Sequence, residues 1–149
     1  MSDRVTLRPC TFRDLPRVVE IENESFTDAY PWSEFADHLL RDRRVFVVAS
    51  VEGEIVGYVL ASHEAGGEGW IRSVAVVPGS RRRGVGAALM EVAMKSLAGC
   101  GRVTLLARRS NEAAKALYRK FSFTETGMVK GYYPDGEDAV TFQWTRAEH

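Results

Sequence analysis

Between an apolar run ending at Val77 and an amphipathic run starting at Val85 lie Arg81, Arg82, Arg83, Gly84, Val85, Gly86 and Ala87, three cations and two glycines at a helix entrance. Such a segment suits a pyrophosphate. A helix start exposes unpaired N–H groups and the positive end of its dipole, glycine lets backbone approach an anion, and arginine adds charge-assisted bonds. An ordinary solvated charge run beside a loop is the plain alternative. A Walker loop is excluded, because the chain has no Gly-x-x-x-x-Gly-Lys-Ser/Thr. A dinucleotide-binding turn could begin at Gly84-x-Gly86, with Arg108 and Arg109 meeting a ribose phosphate, but Leu89 stands where its third glycine belongs.

The chain that must position this loop has 149 residues, the usual size of one domain, so a single domain over 1–149 is expected. Its composition, 45% hydrophobic and 27% charged, is that of a globular protein. Lys plus Arg and Asp plus Glu both number 20, so nothing global attracts nucleic acid or an acidic membrane, and the basic cluster acts locally. Cys10 and Cys100 have neither metal-ligand spacing nor the density of a disulfide scaffold, so free thiols and no metal site are expected. The N-terminus leads into Val5-Thr6-Leu7 without a signal-peptide core, and no apolar stretch is long enough to span a bilayer. A cytoplasmic location follows as the expectation.

Hydrophobic periodicity predicts a strand at Val5 to Arg8 and a helix from about Asp14 with Leu15, Val18, Val19, Ile21 and Phe26 on its apolar face. Thr27 to Trp32 reads as a loop, followed by a short helix capped by Ser33 and striped by Phe35, Ala36, Leu39 and Leu40. Val45 to Val51, Ile55 to Ser62 and Trp70 to Val77 read as three antiparallel strands. A helix over Val85 to Leu97 puts the cation cluster at its N-terminus. A strand at Val103 to Ala107, a helix at Asn111 to Phe121 capped near Ser110 or Asn111, and strands at Phe123 to Tyr132 and Ala139 to Thr145 complete the order βααβββαβαββ. A long antiparallel meander argues against a doubly wound dinucleotide domain.

That order, with Arg81-x-x-Gly84-x-Gly86-Ala87, resembles the GNAT superfamily of acyl-CoA-dependent N-acetyltransferases. Trp70 to Pro78 looks like the strand before the family's cofactor loop, and Arg109 to Ala114 with Ala116-Leu117-Tyr118 like its later cofactor helix. More narrowly, Ala29-Tyr30-Pro31-Trp32 and Tyr132 to Ala139 are similar to segments of protein N-terminal acetyltransferases, of the RimI type and its archaeal and eukaryotic relatives. The resemblance implies an α/β fold with a mostly antiparallel seven-stranded sheet and about four helices. It also implies acetyl-CoA as cofactor. Val74, Ala75 and Val76 would pair with pantetheine amides, Arg82 to Ala87 would hold the pyrophosphate beside the Arg81 to Arg83 side chains, and Asn111 would bond the pantetheine arm as well as capping its helix. Tyr30, Tyr132 and Tyr133 would form the slot for the substrate's first residues. The implied partner is a protein or peptide N-terminus, such as a ribosomal protein or nascent chain, with the enzyme a monomer or weak dimer.

Tyr118 follows Asn111 by two helical turns, so both face the cofactor, and a phenol can protonate the departing thiolate. Tyr118 is therefore the expected general acid. Leu106 stands where RimI-type enzymes carry a glutamate, and leucine takes no proton. Archaeal and eukaryotic relatives can use a glutamate in the first loop, where this chain has Asp28. Asp28 is the expected base, directly or through water, with Glu34, His63 and Asp138 as fallbacks. Neutralising an α-amine of pKa roughly 7.7 to 8.0 costs only about 1 kcal/mol at pH 7, against roughly 4.6 for lysine near 10.4, so a weak base still serves protein N-termini. Acetyl transfer to a small amine such as a polyamine or aminoglycoside, or CoA binding without turnover, are the alternatives.

Overall fold

The structure is a computed structural model that describes residues 4–25, 31–41, 44–80 and 84–146. Strand β1 covers Val5–Pro9, and a 3-10 turn at Phe12–Asp14 leads into helix α1, Leu15–Ser25, followed by α2, Trp32–Leu39. Strands β2 (Arg44–Val51), β3 (Glu54–Glu64) and β4 (Glu68–Val76) form the predicted meander. Helix α3 (Val85–Ser96), strand β5 (Arg102–Arg108), helix α4 (Glu112–Lys120) and strands β6 (Thr124–Val129) and β7 (Ala139–Thr145) follow. The expected βααβββαβαββ order is the observed one.

Seven strands make one sheet in the order β1-β2-β3-β4-β5-β7-β6, antiparallel throughout except where β4 meets β5. The β2–β3 hairpin closes through Glu52 and Gly53 with φ of 53° and 81°, the two positive angles that a tight two-residue turn needs. Alternation then sorts the central strands onto two cores. Phe46, Val48, Tyr58 and Leu60 pack with Leu15, Val18, Ile21, Phe35 and Leu39 of the first two helices. Val45, Ala49, Val59 and Ala61 point the other way, against Val85, Leu89, Met90, Ala93 and Leu97 of α3. Cys10 and Cys100 are buried free thiols, as the sequence suggests. No described helix is long and apolar enough to cross a membrane.

Three local expectations need correction. Ser33 caps nothing: the N-cap of α2 is Pro31 in an extended conformation, and Trp32 is already the first helical residue rather than the end of a loop. Leu40 lies past the end of α2 and is exposed, so it leaves the apolar stripe. Strand β6 stops at Val129, because Gly131 turns left-handed at φ 62°, and Tyr132 falls in the loop beyond. Phe26 and the predicted loop residues 27–30 lie outside the described residues.

The entrance to α1 is held by charge. Asp14 Oδ2 accepts from the Thr11 N–H at 2.8 Å and its hydroxyl at 3.0 Å, while Arg8 bonds both carboxylate oxygens at 2.7 and 2.8 Å. The Arg8 guanidinium first, and the Thr11 bonds after it, pull the Asp14 carboxyl down to about 2 against its burial. A depressed carboxylate stabilises the fold above its ordinary pKa, about 3.9, and loses that contribution as pH falls toward about 2. Asp14→Ala is expected to cost about 1 kcal/mol in urea unfolding at pH 7. The difference from wild type should shrink when the same titration is run near pH 2.

Candidate functional site

Strand β4 pairs with β5 at Glu68–Arg102, Gly69–Val103 and Trp70–Thr104. Among the described residues no ladder joins the strands beyond that point, although β4 continues to Val76 and β5 to Arg108. The cause lies in the neighbouring ladder. Leu60 faces Ser73 but Ala61 faces Ile71, so Arg72 is an extra residue, and such a bulge bends and twists its strand. Strand β5 meanwhile keeps a full register with β7, from Arg102–Thr145 to Arg108–Ala139. The result is a wedge in the middle of the sheet. Val74, Ala75 and Val76 form its β4 wall, and Leu106 belongs to its β5 wall.

Helix α3 starts beside that wall. Its N-cap, Gly84, is left-handed at φ 78° and has no side chain to cover the helix end. The Ala88 N–H makes the first helical bond, to Gly84 O at 2.9 Å, so the amides of Val85, Gly86 and Ala87 precede the i to i−4 ladder. The glycines have different reasons. A Cβ on Gly86 would come 3.3 Å from Leu117 Cδ2, which makes this a packing glycine between α3 and α4. On Gly57 of β3 a Cβ would lie 2.9 Å from Ala75 O and 3.3 Å from Val85 Cγ1, so its absence lets the first turn of α3 settle on the sheet next to Ala75. Arg81, Arg82 and Arg83 lie outside the described residues.

Helix α4 supplies the opposite side. Asn111 is its N-cap, with Oδ1 accepting from the Ala114 N–H at 3.1 Å, as the sequence suggests. Two turns on, Tyr118 is 7% exposed, edge-on to Phe142 at 5.9 Å and tilted against Phe123 at 6.5 Å. Burial, and then the nearby Tyr133, push its phenol above the ordinary tyrosine range. The group therefore stays protonated at neutral pH.

The β6–β7 loop is strapped to the end of β5. Arg108 Nη1 donates to Asp135 and to Glu137, each at 2.9 Å, and its guanidinium stacks 4.1 Å over the Tyr133 ring. Ser110 N–H donates to Glu137 Oε2 at 2.8 Å. Ser110 and then Arg108 pull the Glu137 carboxyl down to about 2. Tyr132 stands edge-on to Tyr133 at 5.1 Å and is half exposed. Arg108 is thus committed to the loop rather than to a ribose phosphate.

Asp28 and Tyr30 lie outside the described residues. Of the fallbacks, Glu34 is exposed in the first turn of α2, and Asp138 accepts from the Gly131 N–H at 2.9 Å. His63 lies opposite Gly69, toward the other end of β4. There it joins Cys100, 3.5 Å away, in an open concavity of about 800 Å³ apart from the wedge, where burial pushes the thiol up and so makes it unreactive. No described group of three His, Cys, Asp or Glu is placed to hold a metal.

Sequence reasoning missed a buried carboxylate. Glu22 of α1, 2% exposed, accepts from the Tyr58 hydroxyl and from Ser73 Oγ at 3.1 Å, and the two hydroxyls lie 2.9 Å apart. The signal was present. Glu22 follows Leu15 and Val18 by seven and four residues, so it interrupts the apolar stripe of α1.

A family model described as "Acetyltransferase (GNAT) family" matches residues 15–123. An N-alpha-acetyltransferase of Sulfolobus acidocaldarius is 36% identical over 147 residues, covering 89% of this chain and 88% of that protein. The crystal structure of Ard1 from Thermoplasma volcanium superposes with a TM-score of 0.90 at 30% identity, over 95% of this chain and 97% of that one. The ribosomal-protein-S18-alanine N-acetyltransferase from Escherichia coli gives 0.85 at 28% identity, over 95% and 94%.

Arg108→Ala should release the tyrosine loop without unfolding the sheet. The amides of Tyr133 and Gly136, which bond within that loop, are expected to exchange with deuterium at least tenfold faster, while those of β2 and β3 keep their protection.

Proposed function

Because the chain belongs to the GNAT acetyltransferase family, we propose that residues 1–149 act as one domain that transfers the acetyl group of acetyl-CoA to the α-amino group of a protein or peptide. The observation that carries this reading is the wedge between β4 and β5, with the open start of α3 on one side and the strapped tyrosine loop on the other. The names of the archaeal and S18-alanine relatives support an N-terminal substrate, and a ribosomal protein or nascent chain presented to a monomeric or weakly dimeric enzyme fits it.

In this reading Val74, Ala75 and Val76 take the place of a missing neighbour strand for the pantetheine amides. The amides of Gly84, Val85, Gly86 and Ala87, with the Arg81, Arg82 and Arg83 side chains, hold the pyrophosphate at the positive end of α3. The oxygen of Asn111 serves the helix cap, and the NH2 end of the same amide serves the pantetheine arm. Tyr30, Tyr132 and Tyr133 receive the first substrate residues. The edge-on tyrosine pair presents flat apolar faces at low entropic cost, which suits a short peptide backbone.

The amine attacks the thioester carbonyl directly, and Tyr118 gives its proton to the departing thiolate. The buried phenol is a weak acid until negative charge forms beside it, so its proton moves as the C–S bond breaks. Asp28 assists removal of the amine proton, directly or through water. The low cost of neutralising an α-amine, about 1 kcal/mol at pH 7, lets this work without a glutamate at Leu106.

An acetylation screen over peptides differing in their first two residues, with lysine-only peptides and polyamines alongside, tests the reading. Turnover of free α-amines far above the others is expected. Turnover confined to polyamines would replace the substrate class. Tyr118→Phe should lower kcat roughly a hundredfold with the acetyl-CoA Kd unchanged. Full activity in that variant would remove Tyr118 from the mechanism.

A further inference from the structure

Leu106 leaves the β5 wall of the wedge without a proton acceptor, and helix α1 sets a carboxylate, Glu22, against Ser73 of β4. Val103, Leu105 and Ala107 belong to the α3 core, so by alternation Leu106 faces the side of α1 and α2. Ser73 lies on that same side, where its hydroxyl joins Tyr58 and Glu22. The Arg72 bulge sets that phase. Arg72 reaches 5.3 Å over the Trp70 ring, Ser73 follows it, and Val74 returns to the α3 face. Ser73 therefore immediately precedes Val74, the first of the three β4 residues proposed above for the pantetheine amides, and it is nearly but not wholly buried at 8% exposure.

We propose that Glu22, acting through the Ser73 hydroxyl, takes the place given above to Asp28 and receives the proton that the substrate amine sheds. This rests on the reading that an amine is acetylated in the wedge. The ammonium gives a proton to Ser73 Oγ as Ser73 passes its own to Glu22 Oε1, and the freed lone pair forms the C–N bond. Collapse breaks the C–S bond, the thiolate takes the Tyr118 proton, and the phenolate recovers one from the amide-forming nitrogen. One proton remains on Glu22 and returns to solvent, which balances the reaction. Both hydroxyls are arranged to donate to Glu22 Oε1, as a proton-accepting carboxylate requires. Tyr58 comes from β3, and Ser73 and Arg72 from β4. On α2, burial first, and then Arg41 and Arg72, lower the His38 imidazole from its ordinary value.

A network that only tied α1 to the sheet would affect melting and not the pH profile. The deciding measurement is kcat against pH, on a peptide α-amine and on spermine, for wild type, Glu22→Gln, Ser73→Ala, Ser73→Thr and Asp28→Asn. Glu22→Gln and Ser73→Ala are expected to lose roughly tenfold on the peptide at pH 7, the cost of drawing on the small neutral fraction of the amine, and far more on spermine. The loss should shrink above pH about 8, where the α-amine is already neutral, while the KM for acetyl-CoA is unchanged. Ser73→Thr should restore most of the rate. Folded variants whose profiles superimpose on wild type, or fall by one factor at every pH, overturn the relay, as does an acidic limb that moves only with Asp28→Asn. If Glu22→Gln fails to fold, Ser73→Ala decides alone. Turnover of spermine without peptide removes the α-amine reading, and the relay is then judged on the spermine profile.

Discussion

The parting of β4 from β5 is the constraint on which the rest of the molecule depends. Two parallel strands inside a sheet normally satisfy each other's main-chain groups along their whole length, since buried amides without partners cost on the order of 1–3 kcal/mol each. Here the ladder runs for three residue pairs and ends. The sheet tolerates this because each strand is secured on its outer side, β4 by a long antiparallel register with β3 and β5 by seven pairs with β7. The wedge is what the reading proposed above fills with a ligand in place of a strand.

Everything around the wedge is placed by packing that has little to do with the ligand. Gly57 lets α3 sit against β3, and Gly86 lets α4 close on α3. That sets the start of α3, capped by the left-handed Gly84, against the later part of α4, whose own start is capped by Asn111. The electrostatics follow from the placement. A free helix start beside an open strand edge favours a ligand that carries both phosphate charge and amide groups.

The tyrosine loop shows the same economy from the other side. Arg108 ends β5 and carries two carboxylates and an aromatic face at once, so one side chain converts a turn into a rigid wall. Charge-assisted bonds of this kind hold the loop to the end of β5. Tyr118 lies beneath, in the aromatic cluster with Phe123 and Phe142, and its unusual proton affinity comes from being part of the core.

Local pattern was enough for the order of elements, the antiparallel meander and the cap at Asn111, because each depends on residues within a few positions of one another. It was enough for the family as well, since spacing in Arg81 to Ala87 and around Tyr118 survives without any knowledge of contacts. Ser33 and Leu40 were misread because helix ends depend on one or two dihedral angles that propensity does not resolve. The bulge at Arg72, the short β4–β5 ladder, the strap from Arg108 and the burial of Glu22 between Tyr58 and Ser73 belong to the tertiary structure alone. Apart from the bulge, each joins segments from 15 to 51 residues apart, as in Tyr58 to Ser73 and Glu22 to Ser73, and no local periodicity encodes which distant partner will be met.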